Sequence, residues 1–257
     1  MKVCIVGAGV VGRAVARALA GRGDHVVLAS PEPRAGAGLW RRADALTGAG
    51  IREALYEADV VVYAATAPKQ VASLAKAGPE QVARAARQGA VGRFVWVQPV
   101  GVDRSRAPAV QTFREAHPLV AAHAPDLRVV GLPLLFGDDD KLLAPWLAAA
   151  RSGKAVPQPP DLRLRPLWCD DAARLVVRAV DGTLPERVGV QGPRPVRLRA
   201  LAEDVAGSFG VGVSRMKRSV LRPWADLLAD QADAPDDWEG LDLGRRRDVE
   251  DHLRTLV

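Results

Sequence analysis

Apolar and helix-forming stretches alternate along the first half of the chain. An apolar run of strand length at 3–6 leads into a glycine-rich turn, a helix-forming run through residue 19, and a second apolar run at 25–30. This order predicts a β-strand, an α-helix and a parallel β-strand. Further strands are expected at 39–42, 59–65, 93–98 and 127–132, and helices at 51–57, 68–88 and 109–123.

The alternation predicts an α/β fold with a doubly wound parallel sheet, because parallel strands need crossover connections that cover both faces. In the run at 59–65 every residue after Asp59 is apolar, as expected of a strand buried on both sides. Residues 31–38 are too few and too rich in Pro and Gly for a crossover helix. Gly78 and Pro79 are expected to interrupt the helix at 68–88.

The rhythm changes after Pro133. We therefore expect a Rossmann domain over 1–135, to which 166–182 return, and a smaller C-terminal substrate-binding lobe formed by 136–165 and 183–257. The elements expected there are a helix ending near 151, a strand at 162–167, a helix from an N-cap at Asp170 or Asp171 to 180, a short strand at 187–190, a helix at 198–209, and a largely helical last 45 residues with a loop at 234–243.

Gly7, Gly9 and Gly12 form a GxGxxG motif between the first predicted strand and helix. In this context Gly7 allows the tight turn, Gly9 lets a pyrophosphate approach the backbone, and Gly12 lets the helix pack on the strand. The helix N-terminus then offers N–H groups and partial positive charge to phosphates. The motif predicts a dinucleotide-binding fold, and the alternative is a Rossmann-like domain with a vestigial site.

The end of the second strand indicates which dinucleotide binds. An acidic residue there would hold the ribose 2′-hydroxyl of NAD, whereas an Arg favours the 2′-phosphate of NADP. Ser30 ends the strand and Arg34 follows, which favours NADP, while Glu32 between them keeps NAD open. The alternative is that Ser30 and Arg34 belong to a solvated turn with Pro31 and Pro33.

Charge and cysteine content exclude several classes of protein. The 257-residue chain has a net charge of +6 and an isoelectric point near 9.8, yet its only tight arginine run, 245–247, is flanked by acids. That arrangement indicates a solvated helix face rather than a nucleic-acid site. Cys4 and Cys169 make neither a disulfide framework nor a metal site. With no signal peptide or membrane-length apolar run, we expect a cytoplasmic protein.

Five further segments stand in a characteristic order along the chain: 44–47, 59–65, 132–137, 165–172 and 190–193. Together they resemble the extended and atypical short-chain dehydrogenase/reductase superfamily, in its epimerase/dehydratase-like branch. The resemblance implies that Asp44 meets the adenine amino group and that 132–137 pass the nicotinamide. It also implies a homodimer through the helices at 68–89 and 109–123, and a small-molecule substrate. The residues expected to bind the cofactor are Gly7, Ala8, Gly9, Val10, Val11, Gly12, Ser30, Arg34, Asp44, Ala45, Ala64, Ala65, Thr66, Pro133 and Leu134.

The departures from that family concern catalysis. The extended enzymes carry GxxGxxG, one residue longer than the motif here, which indicates an atypical subgroup. Gln98 and Pro99 replace the family's Ser-Ser or Ser-Thr, and its YxxxK register holds Phe113 and His117. The phenol that exchanges a proton with substrate and the Lys that lowers its pKa are therefore absent from that register.

His117 and Gln98 are the candidate catalytic residues. An imidazole in the Lys position can bond ribose hydroxyls or act as general acid or base, although Pro118 beside it leaves open a merely disturbed helix. Gln98 can hydrogen-bond substrate or simply cap its strand. Asp103 and Arg104 are weaker candidates for substrate contact. The aspartates at 138–140 are expected to cap a helix rather than hold a metal.

Two hypotheses follow. The first is an NADP-dependent atypical reductase, or a redox-neutral isomerase or dehydratase, whose substrate lies between the sheet and the lobe. A substrate with an activated double bond suits a site that lacks the usual acid. The second is a catalytically silent NADP sensor, similar to the regulatory NmrA-like branch. An enclosed apolar pocket with a few polar groups would favour the enzyme.

Overall fold

The computed structural model describes residues 1–66, 70–137, 140–141, 143–214, 231 and 233–256. The strands are β1 Lys2–Val6, β2 His25–Ser30, β3 Leu39–Arg42, β4 Val60–Tyr63, β5 Arg93–Pro99, β6 Leu127–Leu132, β7 Leu135–Phe136, β8 Val156–Pro157, β9 Arg163–Leu164, β10 Leu167–Trp168, β11 Arg187–Gly189, β12 Val196–Arg197 and β13 Val213–Ser214. The helices are α1 Val10–Gly21, α2 Ile51–Ala54, α3 Val71–Gln88, α4 Pro108–Ala121, α5 Leu143–Arg151, α6 Cys169–Val180 and α7 Leu198–Ser208, followed by a 3-10 helix, Trp238–Leu241, and a terminal helix, Val249–Leu256.

Within the described residues, seven strands form one sheet in the order β11-β6-β5-β4-β1-β2-β3, and every pairing is parallel. Helices α1 and α6 pack on one face, and α3 and α4 on the other. The predicted doubly wound Rossmann fold is therefore confirmed. The strand order reverses between β1 and β4, and ligands of open α/β sheets bind at the carboxyl ends of the strands at such a point.

Helix α3 differs from the prediction because it runs unbroken through Gly78 and Pro79. The buried hydroxyl of Tyr63 in β4 donates a 2.7 Å hydrogen bond to the carbonyl of Leu74 in α3. A Cβ on Gly78 would lie 2.2 Å from that hydroxyl oxygen, so the absent side chain lets the helix approach the strand. Tertiary packing thus outweighs the local helix-breaking tendency of Pro79.

Smaller corrections concern the lobe and the edges of elements. Helix α2 ends at Ala54 rather than at 57, and the single strand predicted at 162–167 is two short strands. Helix α6 has Trp168 as its N-cap, so Asp170 and Asp171 lie in its first turn instead of capping it. Residues 215–230, predicted to be helical, lie outside the described residues.

Asp236 links the C-terminal segment 233–256 to the rest of the described protein. Its carboxylate accepts hydrogen bonds from Arg165 at 3.0 Å, from Arg246 at 2.5 Å and from the backbone N–H of Gln191 at 3.1 Å. No helix in the described part of the chain is long and apolar enough to cross a membrane.

Candidate functional site

The turn between β1 and α1 has no room for side chains at two of its three motif glycines. Gly7 has a φ of +115°, and an added Cβ would lie 2.5 Å from the backbone nitrogen of Ala65. A Cβ on Gly12 would lie 1.9 Å from the carbonyl oxygen of Gly7. A Cβ on Gly9 would meet nothing within 4 Å. Gly7 and Gly12 therefore close the turn against the protein, whereas Gly9 presents its backbone to open space.

Helix α1 begins at Val10 without a side-chain cap and without an acidic residue in its first turn. At the start of the helix, the N–H of Arg13 donates a 3.0 Å hydrogen bond to the carbonyl of Gly9. The preceding N–H groups of the helix end lie at the carboxyl end of β1, next to β4, where the strand order reverses. This is the geometry of an anion site at a helix N-terminus.

Two adjoining cavities lie along this edge of the sheet. The outer cavity has a volume of about 510 Å³ and the inner cavity about 170 Å³, and they share Gly9, Val10, Thr66 and Lys141. Predicted cofactor residues in the outer cavity are Gly7, Ala8, Gly9, Val10, Ser30, Arg34, Asp44, Ala45, Ala65 and Thr66. Val11, Ala64, Pro133 and Leu134 line the inner cavity. Apart from Gly12, which packs under the turn, every residue predicted to bind the cofactor lines one continuous cleft.

Ser30 lies in the outer cavity but uses its hydroxyl within the protein. It donates to the carbonyl of Glu32 at 2.6 Å and accepts from the indole N–H of Trp40 at 3.1 Å. Its single proton is therefore not available to a ligand phosphate, which corrects its expected contribution to NADP binding. The side chains of Glu32 and Arg34 are 78% and 58% exposed and line the same cavity, 3.5 Å apart.

Asp44 is partly turned toward its own loop. One carboxylate oxygen accepts from the N–H of Leu46 at 2.8 Å and of Thr47 at 3.4 Å, which fixes the turn after β3. The residue still lines the outer cavity and is not among the residues shared with the inner one. Its position suits the contact with an adenine amino group that the family resemblance implies.

The inner cavity is mostly apolar and contains Gln98, at the carboxyl end of β5. Gln98 is 4% exposed, and its Nε2 has no hydrogen-bond partner. Lys141 lines both cavities and Gln231 lines the inner one, and neither residue was predicted from the sequence. Lys141 directly follows Asp140, whose carboxylate accepts a hydrogen bond from the N–H of Leu143 at the start of α5. The aspartates expected to cap a helix are therefore the sequence feature that could have pointed to Lys141.

His117 does not lie in this cleft. Its ring stacks on Trp96, with centroids 6.4 Å apart, on the face of the sheet covered by α3 and α4. Burial lowers the pKa of the imidazole, and the positive charge of Arg187 lowers it further. The register of α4 puts His117 at the position of the family's Lys. Its side chain, however, faces β5 and the loop that carries Asp103. The location of His117 therefore does not support its predicted role beside the nicotinamide.

Neither tyrosine of the chain lines either cavity. Tyr63 is buried with its hydroxyl on the Leu74 carbonyl, and burial raises the pKa of that phenol. Tyr56 is 67% exposed. The described residues therefore contain no phenol placed to exchange a proton with a ligand in the cleft.

Comparisons with solved structures identify the fold over the whole chain. The enzyme WbmH from Bordetella bronchiseptica in complex with NAD+ is 20% identical, with a TM-score of 0.73 over 96% of this chain and 93% of that one. MoeE5 in complex with UDP-glucose and NAD is 16% identical, with a TM-score of 0.77 over 100% of both. A GalE-like L-threonine dehydrogenase from Cupriavidus necator is 17% identical, also with a TM-score of 0.77 over 100% of both.

No curated protein gives a significant sequence match. The sheet order and the glycine turn are those of a Rossmann fold. A family model described as DAO, FAD dependent oxidoreductase, matches residues 2–166, and the chain belongs to that family. The matched part includes the βαβ unit with GxGxxG, which is common to NAD-binding and FAD-binding proteins.

Proposed function

We propose that the protein binds a nicotinamide dinucleotide and acts as an atypical oxidoreductase, or a redox-neutral isomerase or dehydratase, on a small organic substrate. The observation that carries this proposal is the single cleft into which all the expected cofactor residues except Gly12 converge. Its outer cavity leads from Asp44 past the open backbone of Gly9 to the inner cavity. WbmH and MoeE5, which share the fold, are described with NAD bound.

The size of the inner cavity favours nicotinamide over the flavin that the family description names. About 170 Å³ between Val10, Leu134 and Gln98 suits a single ring with one polar substituent. An isoalloxazine has three fused rings and would need a longer cavity. The described fold also continues through β4, β5 and β6, the second mononucleotide-binding half of a dinucleotide fold.

The adenosine end is proposed to prefer NADP over NAD. Arg34 and Arg13 both line the outer cavity and can meet a 2′-phosphate. Glu32 opposes this preference, because its carboxylate lies 3.5 Å from Arg34 and can instead accept from a 2′-hydroxyl. The net charge of +6 adds a general attraction for the more anionic cofactor.

Bound nicotinamide would supply or accept a hydride, and the chain's own residues would orient the substrate. Gln98 lies at the inner end, beside the space assigned to the nicotinamide ring, and Lys141, at the junction of the cavities, can place its ammonium group against an anionic or carbonyl oxygen of the substrate. With neither the Tyr nor the Lys of the family register, a substrate with an activated double bond is favoured over a simple ketone.

The second candidate function is a cofactor sensor without catalysis. It is favoured by the positions of Tyr63, Tyr56 and His117, all outside the cleft. The inner cavity is assigned above to the nicotinamide ring and so favours neither function, whereas the match to a family of oxidoreductases supports the enzyme. Turnover of NADPH with a panel of enones and enoate esters separates the two.

The proposal is tested by calorimetric titration with NADP(H), NAD(H) and FAD, using wild type and Gly9→Asp. The variant places a carboxylate where phosphates would approach, and a Cβ there meets no protein atom. Gly212→Asp is the matched control, since its Cβ also meets nothing within 4 Å and it lines neither cavity. Binding of NADP(H) that is lost only in Gly9→Asp is expected. Binding of FAD alone, or of no dinucleotide, would overturn the proposal.

A homodimer through α3 and α4 is also proposed. Leu119 on α4 is 39% exposed, one of the few large apolar side chains on the surface of the described residues. Sedimentation velocity on wild type and Leu119→Lys tests this, and a monomeric wild type would contradict it.

A further inference from the structure

Gln98 is a buried side chain that the protein itself does not satisfy. It is the second-to-last residue of β5, lies opposite Gly131 in β6, and is 4% exposed. Its Nε2 makes no hydrogen bond. Buried side-chain donors in native proteins are nearly always paired, and an unpaired one destabilises the folded state. Because Gln98 also lines a cavity, a ligand bound there is a candidate partner for its amide.

Gln191 provides a comparison, because it is a buried glutamine whose Nε2 is hydrogen-bonded within the protein. Gln191 is fully buried, and its Nε2 donates to the carbonyl of Ala234 at 2.5 Å. Gln98 differs in lining two cavities: the inner cavity, where Val97, Leu132 and Leu134 offer apolar atoms, and a neighbouring cavity of about 410 Å³ that also contains Asp103. The amide therefore has a cavity beside it but no protein partner.

We propose that the Gln98 amide binds the carboxamide of the nicotinamide ring, donating its N–H to the carboxamide oxygen. This inference rests on the proposed function and assigns the residue that recognises the ring end of the cofactor. The last torsion of a Gln side chain is broad and two-fold, so the amide can aim its N–H at the cavity without moving its stem. The open cavity volume beside it accommodates one ring.

The test compares two ligands that differ only beyond the pyrophosphate and its terminal ribose. NADP+ carries the nicotinamide ring, and 2′-phospho-ADP-ribose lacks it. Gln98→Met keeps the length of the side chain and removes the amide. We expect Gln98→Met to weaken NADP+ binding by roughly tenfold and to leave 2′-phospho-ADP-ribose binding unchanged. Because the variant removes an unpaired donor, its ligand-free melting temperature should not fall.

Gln191→Met serves as the matched control. It removes a donor that is paired, so it should lower the melting temperature without distinguishing the two ligands. Equal weakening of both ligands by Gln98→Met together with a lower melting temperature would show that Gln98 is structural and overturn the inference. Unchanged NADP+ binding would overturn it too. If wild type binds neither ligand, the proposed function itself fails, which is a distinguishable result.

Discussion

A Cβ atom on Gly12 would lie 1.9 Å from the carbonyl oxygen of Gly7, inside van der Waals contact with a backbone atom that cannot move away. Gly7 is itself fixed by the N–H bond it donates to the carbonyl of Ala29 at 2.9 Å. Gly12 can therefore approach the backbone of Gly7 this closely only because it has no side chain. The third motif residue, Gly9, has no such constraint.

Substitutions in this turn should therefore separate folding from binding. Gly12→Ala is expected to lower the free energy of unfolding by about 1–3 kcal/mol, because the added methyl displaces backbone. Gly9→Ala should change stability by less than about 0.5 kcal/mol, yet weaken dinucleotide binding by roughly tenfold or more. Urea denaturation and calorimetry on both variants provide the check. A destabilised Gly9→Ala with normal binding would contradict the assignment.

The hydroxyl of Tyr63 is assigned to structure rather than to chemistry. Tyr63→Phe removes its bond to the Leu74 carbonyl and should lower the free energy of unfolding by about 1 kcal/mol. Dinucleotide affinity should stay unchanged. Tyr56→Phe is the control, since Tyr56 is 67% exposed and its loss should leave stability as it was. A turnover defect in Tyr63→Phe without loss of stability would refute this assignment.

Elements whose interactions lie within a short stretch of sequence could be predicted, and elements that depend on contacts between distant residues could not. The βαβ unit and its glycines were predictable because the strand period, the helix period and the turn chemistry all lie within residues 2–30. The unbroken α3 was not predictable, because the bond that holds it joins Tyr63 to Leu74 across two elements. The loss of Ser30 as a ligand donor likewise depends on Trp40, which reaches it from the neighbouring strand β3.

Side-chain direction and loop position limited the prediction of the site. His117 occupied the expected register on α4, but the helix turns that side chain onto Trp96. Lys141 carries no periodic signal and enters the cleft through the loop between β7 and α5. Gln98 was predicted from its strand-end position, and only the structure shows that its Nε2 is unpartnered.

The preference between NADP and NAD should be set by two neighbouring exposed charges. Arg34→Ala is expected to weaken NADP binding by roughly tenfold and to leave NAD binding almost unchanged, because only NADP carries the 2′-phosphate. Glu32→Ala should shift the ratio toward NADP. Arg17→Ala, which also removes one positive charge but lies outside both cavities, is the control for the general field. Equal effects of the Arg34 and Arg17 variants would mean that no specific contact exists.

The pKa of His117 should lie below the ordinary value of 6.5, first because burial disfavours the imidazolium and then because Arg187 is positive. Asp103 and Glu186 act in the opposite direction, and Asp103 holds Arg187 by two hydrogen bonds at 3.0 and 2.9 Å. Arg187→Gln should therefore raise the pKa of His117, as followed by NMR titration of its ring protons. An unchanged pKa would show that the charge of Arg187 is screened.

The same shift predicts a pH dependence of stability. A histidine whose folded pKa is depressed binds fewer protons in the folded state than in the unfolded state, so its contribution is fully present above pH 6.5 and is lost as the pH falls through the folded pKa. Urea denaturation of wild type and His117→Gln between pH 7.5 and 5 measures this contribution. The variant should lose less stability than wild type over that interval. A steeper loss in His117→Gln would mean that the imidazolium gains a partner in the folded protein, contrary to its position against Trp96.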